Sequence, residues 1–235
     1  MSQPKYDPAP DPSTFIKVKT TLPRQPFPPN SERKPFHTER LTLRALAQED
    51  LDSLHRLRTQ PEVMQWTALK KCDKDLAETQ TRLDPFLEPN DARTYNFAIC
   101  LKGTGEFIGI GGFHNTGGSL FGWPEVGYMF VKECWGRGYA TEFLKGFGEL
   151  WRGLEREEVE LEVGVDERTV VVREQAQGAV VVVEEVLIAV TAEGNGKSQS
   201  VLRKCGFEEF VKWKDEKEGG TGDVLPCFRL FPLRV

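Results

Sequence analysis

The chain has 235 residues, 39% hydrophobic and 29% charged, which suits one large or two small globular domains and excludes wholesale disorder. A net charge of −5 argues against a general nucleic-acid binder, and no apolar run approaches the ~20 residues of a membrane span. Five scattered cysteines without a CxxC pair, and three histidines without HExxH, leave no disulfide framework, structural zinc site or other expected metal centre. The N-terminus lacks a basic-then-apolar secretory pattern, so the expected compartment is cytoplasmic.

Residues 1–35 hold nine of the fifteen prolines, each of which fixes φ and removes a backbone donor. Residues 1–36 therefore read as a proline-rich N-terminal arm, with Phe15–Val18 able to dock as a short strand. The folded domain is expected over 37–235. It begins with Leu41 and Leu43, alternating as in a half-buried strand. Leu51, Leu54 and Leu57 share a helical face that Pro61 stops, and a second helix is expected from Asp73 as N-cap to about Phe86. Tyr95, Phe97, Ile99 and Leu101 then alternate with period two. Gly103–Gly105 turns the chain and Phe107–Phe113 returns, a hairpin, with a third strand at 124–131.

A helix follows from about Tyr139, carrying Phe143, Leu144, Phe147, Leu150 and Trp151 as an apolar stripe. Residues 158–190 contain twelve valines and neither lysine nor proline. Segment 157–184 reads as an inserted hairpin turning at Gln177-Gly178, a surface elaboration or dimer contact. A strand over Val186–Thr191 comes next. A short helix carrying Ser198, Val201 and Leu202 ends at Gly206, a left-handed cap, and closing strands span 207–213 and 227–230.

Two glycine-rich loops attract attention. Gly136-Arg137-Gly138 precedes a helix whose first N–H groups lack intrahelical partners, an arrangement that suits a phosphate and equally a plain tight turn. Gly196-Lys197-Ser198 imitates the end of a P-loop. However, Thr191 stands where the first glycine belongs, and too little chain follows for a nucleotide hydrolase.

Together these segments resemble a different family. Trp135-Gly136-Arg137-Gly138-Tyr139-Ala140-Thr141-Glu142 is similar to the acyl-CoA pyrophosphate loop of the GNAT superfamily of N-acetyltransferases, in the branch resembling ribosomal-protein N-terminal acetyltransferases. Thr38–Arg44, Glu125–Tyr128 and Asn195-x-x-Ser198-x-x-Val201-Leu202-x-x-Cys205-Gly206-Phe207 are similar to that branch's first strand, central strand and closing motif. The resemblance implies a mixed α/β sheet with two splayed central parallel strands, here 126–131 and 186–191. It also implies acetyl-CoA as co-substrate and a primary amine as acceptor, a protein N-terminus or a small molecule. No nucleic acid or membrane partner is implied, and the chain would be a monomer or homodimer.

The resemblance further implies that the backbone of Met129, Phe130 and Val131, the loop Gly136–Thr141, Asn195 and Ser198 contact the cofactor. Glu125 is the candidate base, or a strand-end carboxylate in solvent, and Ser198 a candidate acid or the cap of its own helix. From its place in the first turn of the helix, Glu142 reads as a dipole partner or an N-terminal hydrogen-bond acceptor, and His114, at a strand end, as a residue of the acceptor cleft or a structural or surface histidine. The family's tyrosine acid is replaced by Leu202, which keeps open a non-catalytic acyl-CoA-binding protein.

Overall fold

The computed structural model describes residues 6–113, 120–174, 181–216 and 222–232. Strand β1 (Ile16–Pro23) precedes β2 (Phe36–His37) and β3 (Leu41–Arg44). Helices α1 (Leu51–Arg58), α2 (Pro61–Met64) and α3 (Leu76–Leu83) lead to β4 (Tyr95–Leu101), β5 (Phe107–Phe113) and β6 (Val126–Phe130). Helix α4 (Tyr139–Arg152) is followed by β7 (Arg156–Val165), β8 (Val172–Glu174), β9 (Val181–Val183) and β10 (Leu187–Val190). Helix α5 (Gly196–Lys204), β11 (Glu208–Lys214) and β12 (Val224–Leu230) complete a mixed α/β fold. The chain divides into two compact units: residues 25–116 with 126–153, and residues 1–24 with 117–125 and 154–235.

The first of these units carries an antiparallel sheet in the order β2-β3-β4-β5-β6. The expected hairpin pairs Tyr95 with Phe113 and Cys100 with Phe107. Phe143, Leu144, Phe147 and Trp151 of α4 are buried, as their helical spacing requires. Their rings pack in series, Phe143 stacked on Phe147 at 6.0 Å and Phe147 tilted against Trp151 at 5.8 Å. Gly111 makes room for this stripe, since an added Cβ would lie 2.6 Å from the Phe143 ring.

Pro61 ends α1 and also opens α2 as its first residue, where the missing N–H costs nothing. Asp73 corrects an expectation. Asp75 is the N-cap, accepting from Glu78 N at 2.8 Å. Asp73 is instead buried, accepting from Arg58 Nε at 2.6 Å, Arg58 Nη2 at 3.0 Å and the Thr79 hydroxyl at 2.8 Å. Local spacing points to a cap; a cation elsewhere in the chain draws the carboxylate inward.

The other unit holds two sheets, in the orders β7-β1-β9-β8 and β10-β12-β11. The N-terminal arm thus supplies an inner strand, with β1 antiparallel to β7 and parallel to β9. Segment 157–184 does not form a single hairpin. β8 and β9 pair with each other, whereas β7 pairs with β1, and the Gln177-Gly178 turn lies outside the described residues. The physical reason is that β1 offers Val18 and Leu22 to the same core as Val165 and Val183. Trp123, Ile188, Val211, Trp213 and Cys227 complete that core. Helix α5 closes with Gly206 at φ +86°, as expected. Gly206 N donates to Arg203 O and Phe207 N to Leu202 O, both at 3.1 Å, the paired bonds of a Schellman end.

Candidate active site

Strand β6 has one ladder partner, β5, and is the last strand of its sheet. Val131 N donates to Ile108 O at 2.9 Å, and the register pairs Phe130 with Gly109. Antiparallel ladders alternate between bonded and non-bonded pairs, so the N–H and C=O of Phe130 lie on the outer edge. Its carbonyl is capped by the Trp135 indole N–H at 2.8 Å, which gives the tryptophan in this loop a structural reason. Met129 is partly buried, and Phe130 and Val131 are buried.

The loop then reaches α4 through two left-handed glycines, Gly136 at φ +75° and Gly138 at φ +83°. Only glycine adopts these angles without strain. Gly138 is the N-cap and offers no side chain to the helix. The first intrahelical bond runs from Glu142 N to Gly138 O at 3.1 Å, so the Tyr139 and Ala140 amides have no acceptor within the helix. With Thr141 they form its first turn. Arg137 is exposed, and its guanidinium makes no hydrogen bond or ion pair among the described residues.

Glu142 behaves as the expected acceptor, but for a neighbouring segment. It takes the Thr38 hydroxyl at 2.5 Å, Arg40 N at 2.7 Å and Arg40 Nε at 2.7 Å. Arg40 in turn donates to Arg137 O at 3.0 Å and covers the Tyr139 ring at 4.8 Å. Burial alone would raise the Glu142 carboxyl, but the bonds from Thr38 and Arg40 hold it below its ordinary value. This clamp sets the angle of the glycine loop. Sequence reading missed it because its partners lie 102 positions apart.

Glu125 makes a single parallel bridge to Ile188, one residue before β6 begins. The residue is partly exposed, and its carboxylate accepts no hydrogen bond among the described residues. Desolvation pushes its carboxyl up to about 7. A reachable carboxyl poised near neutrality is what a general base needs. Burial and the Glu125 charge together push the Cys227 thiol up, so it stays protonated.

In the closing motif, Asn195 Oδ1 accepts from Ser198 N at 3.1 Å, making Asn195 the N-cap of α5. Ser198 therefore does not cap its own helix; it supplies the amide, and its residue is partly exposed in the first turn. Leu202 is 1% exposed, a core residue with no proton to give. His114 lies outside the described residues. No helix among the described residues is long and apolar enough to cross a membrane.

Residues 40–208 match the family described as Acetyltransferase (GNAT) domain. The uncharacterized N-acetyltransferase p20 of Bacillus licheniformis is 31% identical over 111 residues, 47% of this chain and 61% of that protein. The match thus spans less than two thirds of that relative's length. Among solved structures, a ribosomal-protein-S5-alanine acetyltransferase from Vibrio fischeri is similar with a TM-score of 0.60 at 15% identity, covering 86% of this chain and 98% of that one. A spermidine N-acetyltransferase from Vibrio cholerae, solved with CoA and spermine, gives a TM-score of 0.58 at 16% identity, covering 83% and 97%. With its family match running from the start of β3 to the start of β11, the chain belongs to the GNAT acetyltransferase family.

Proposed function

We propose that this protein is an acetyl-CoA-dependent N-acetyltransferase acting on a primary amine. The observation that carries the reading is the start of α4. Two left-handed glycines, a helix without a side-chain cap and an exposed Arg137 without a hydrogen bond or ion pair among the described residues follow an edge strand after one short turn. An added Cβ at Gly136 would meet nothing within 4 Å, so the backbone there is open to a ligand. The Tyr139 and Ala140 amides and the helix dipole suit a pyrophosphate. Of the expected contacts Met129, Phe130 and Val131, the ladder turns Met129 and Val131 toward β5, so Phe130 alone of the three would meet the pantetheine arm through its backbone, with Thr141, Asn195 and Ser198 as further contacts.

In the reaction, the amine nitrogen attacks the thioester carbonyl carbon; the C–N bond forms and the C–S bond breaks. Glu125 accepts the proton that the ammonium must lose before attack. The outward Phe130 amide is the donor for the developing oxyanion. The departing thiolate takes a proton from the Ser198 hydroxyl or from water, since Leu202 cannot supply one, and the second proton that the nitrogen loses as the amide forms restores that donor. The acceptor is a protein N-terminus or a small amine, and the chain works as a monomer or homodimer. Its five free cysteines fit a reducing, cytoplasmic compartment.

The test is thiol release from acetyl-CoA against a panel of peptide N-termini, lysine, spermidine and an aminoglycoside. Amine-dependent release supports the reading. CoA binding without release by any amine favours the second reading, a CoA-binding protein without chemistry, to which the buried Leu202 points.

A further inference from the structure

Segment 120–125, which delivers Glu125, is anchored to the valine-rich insertion at Phe121, Gly122 and Trp123 and to β10 at Pro124 and Glu125. The Trp123 indole N–H donates to Thr169 Oγ1 at 2.6 Å, and that hydroxyl donates to Asp166 O at 2.5 Å. Trp123 is 1% exposed and Thr169 is fully buried, so water does not compete for either bond. On one side of Trp123, Asp166 N donates to Phe121 O at 3.1 Å. On the other, Ile188 N donates to Pro124 O at 2.9 Å. Gly122, at φ +81°, lies so close to the end of β7 that an added Cβ would come within 2.2 Å of Gly164 O. Gly164, at φ +76°, is pressed in turn on β1, where an added Cβ would be 2.7 Å from Ile16 O.

Only Pro124 separates Trp123 from Glu125, and its ring fixes φ. One of the backbone torsions between the indole and Glu125 is therefore fixed, and the Pro124 carbonyl is held by Ile188 N. The Thr169 hydroxyl spends its one proton on Asp166 and accepts from Trp123 with a lone pair, so its orientation is fixed from both sides. Resting on the reading of Glu125 as the base, we infer that Trp123 and Thr169 are positioning residues through which the insertion holds the Glu125 carboxylate in place and restricts the access of water to it. The insertion is then a support for the active site and not a surface ornament.

Thr169→Val keeps the side-chain shape and removes the hydroxyl, leaving the indole N–H without its acceptor. The loosened segment admits water to Glu125, which favours the charged carboxylate. The experiment follows the carboxyl carbon-13 signal of Glu125 against pH in the intact, ligand-free protein, assigned by its loss in Glu125→Gln. The wild type should titrate at about 7. Thr169→Val should titrate lower by roughly one unit, and Thr169→Ser should return to the wild-type midpoint. In thiol-release assays, Thr169→Val should lower kcat roughly tenfold with the acetyl-CoA KM unchanged, and the serine should restore it.

Should Thr169→Val fail to fold, Trp123→Phe removes the same hydrogen bond from the other side and is expected to shift the titration the same way. A Glu125 midpoint unmoved in the folded variant would overturn the positioning role alone. Full kcat in Glu125→Gln would overturn the base reading itself.

Discussion

Gly138→Glu is the sharpest perturbation of the proposed pyrophosphate loop, because the structure separates its effect on folding from its effect on binding. An added Cβ at Gly138 meets only Arg40 Nη2, at 3.4 Å, so no backbone atom must move. The cost is the left-handed conformation, φ +83°, about 1–2 kcal/mol for any L-residue. Gly138→Ala carries that cost alone and should lower Tm by roughly 2–8 °C. The glutamate adds a negative charge at the helix N-terminus, which by itself offsets about 0.3–1 kcal/mol of the strain. Against a pyrophosphate the same charge is repelled by about 4 kcal/mol per charge pair at ~4 Å near a protein surface. Screening that halves this still leaves CoA binding weakened roughly 30-fold. Calorimetric titration of CoA into the wild type, Gly138→Ala and Gly138→Glu, each shown to be folded by its melting curve, measures the difference. A folded Gly138→Glu protein that binds CoA within a few-fold of Gly138→Ala would refute the loop assignment.

Asp73→Asn should cost about 3 kcal/mol, because Arg58 is left charged and buried, and a chemical denaturation midpoint reads this directly. Burial raises the Asp73 carboxyl, but the bonds from Arg58 and Thr79 outweigh it and hold it below its ordinary value. The pair's stabilisation is thus present above the unfolded carboxyl's pKa and fades as pH falls through the lower folded one. Ser198→Ala should leave melting nearly unchanged, since Asn195 is the cap of α5. If the hydroxyl is the acid, kcat falls roughly 100-fold or more with acetyl-CoA affinity intact. A normal kcat would assign the proton to water. The amides of Val181–Val183, paired in the sheet with β1 and β8, should be protected in hydrogen exchange; free exchange there would contradict the sheet order β7-β1-β9-β8.

What the sequence revealed was mainly local and periodic. Alternation along Tyr95–Leu101 and the stripe from Phe143 to Trp151 each encode one buried face, so the hairpin and α4 were legible. Gly136, Gly138 and Gly206 were legible because left-handed backbone demands glycine. Pairings across long stretches of chain were not. Nothing local in Ile16–Pro23 states that it lies between β7 and β9, and nothing near Asp73 announces Arg58. The candidate base was nameable from its place before a central strand, but not its desolvation, which depends on the residues the fold packs around it. The Trp123–Thr169 bond joins residues 46 positions apart and leaves no trace in either segment.

The most direct test of the account is the pH profile of kcat/KM for amine-dependent thiol release, in the wild type and in Glu125→Gln. The wild-type rate should fall as pH drops through about 7, because protonating Glu125 removes the base. Glu125→Gln should lose that limb and at least roughly 100-fold in rate above it. A Glu125→Gln enzyme that keeps both the limb and the rate would contradict the account.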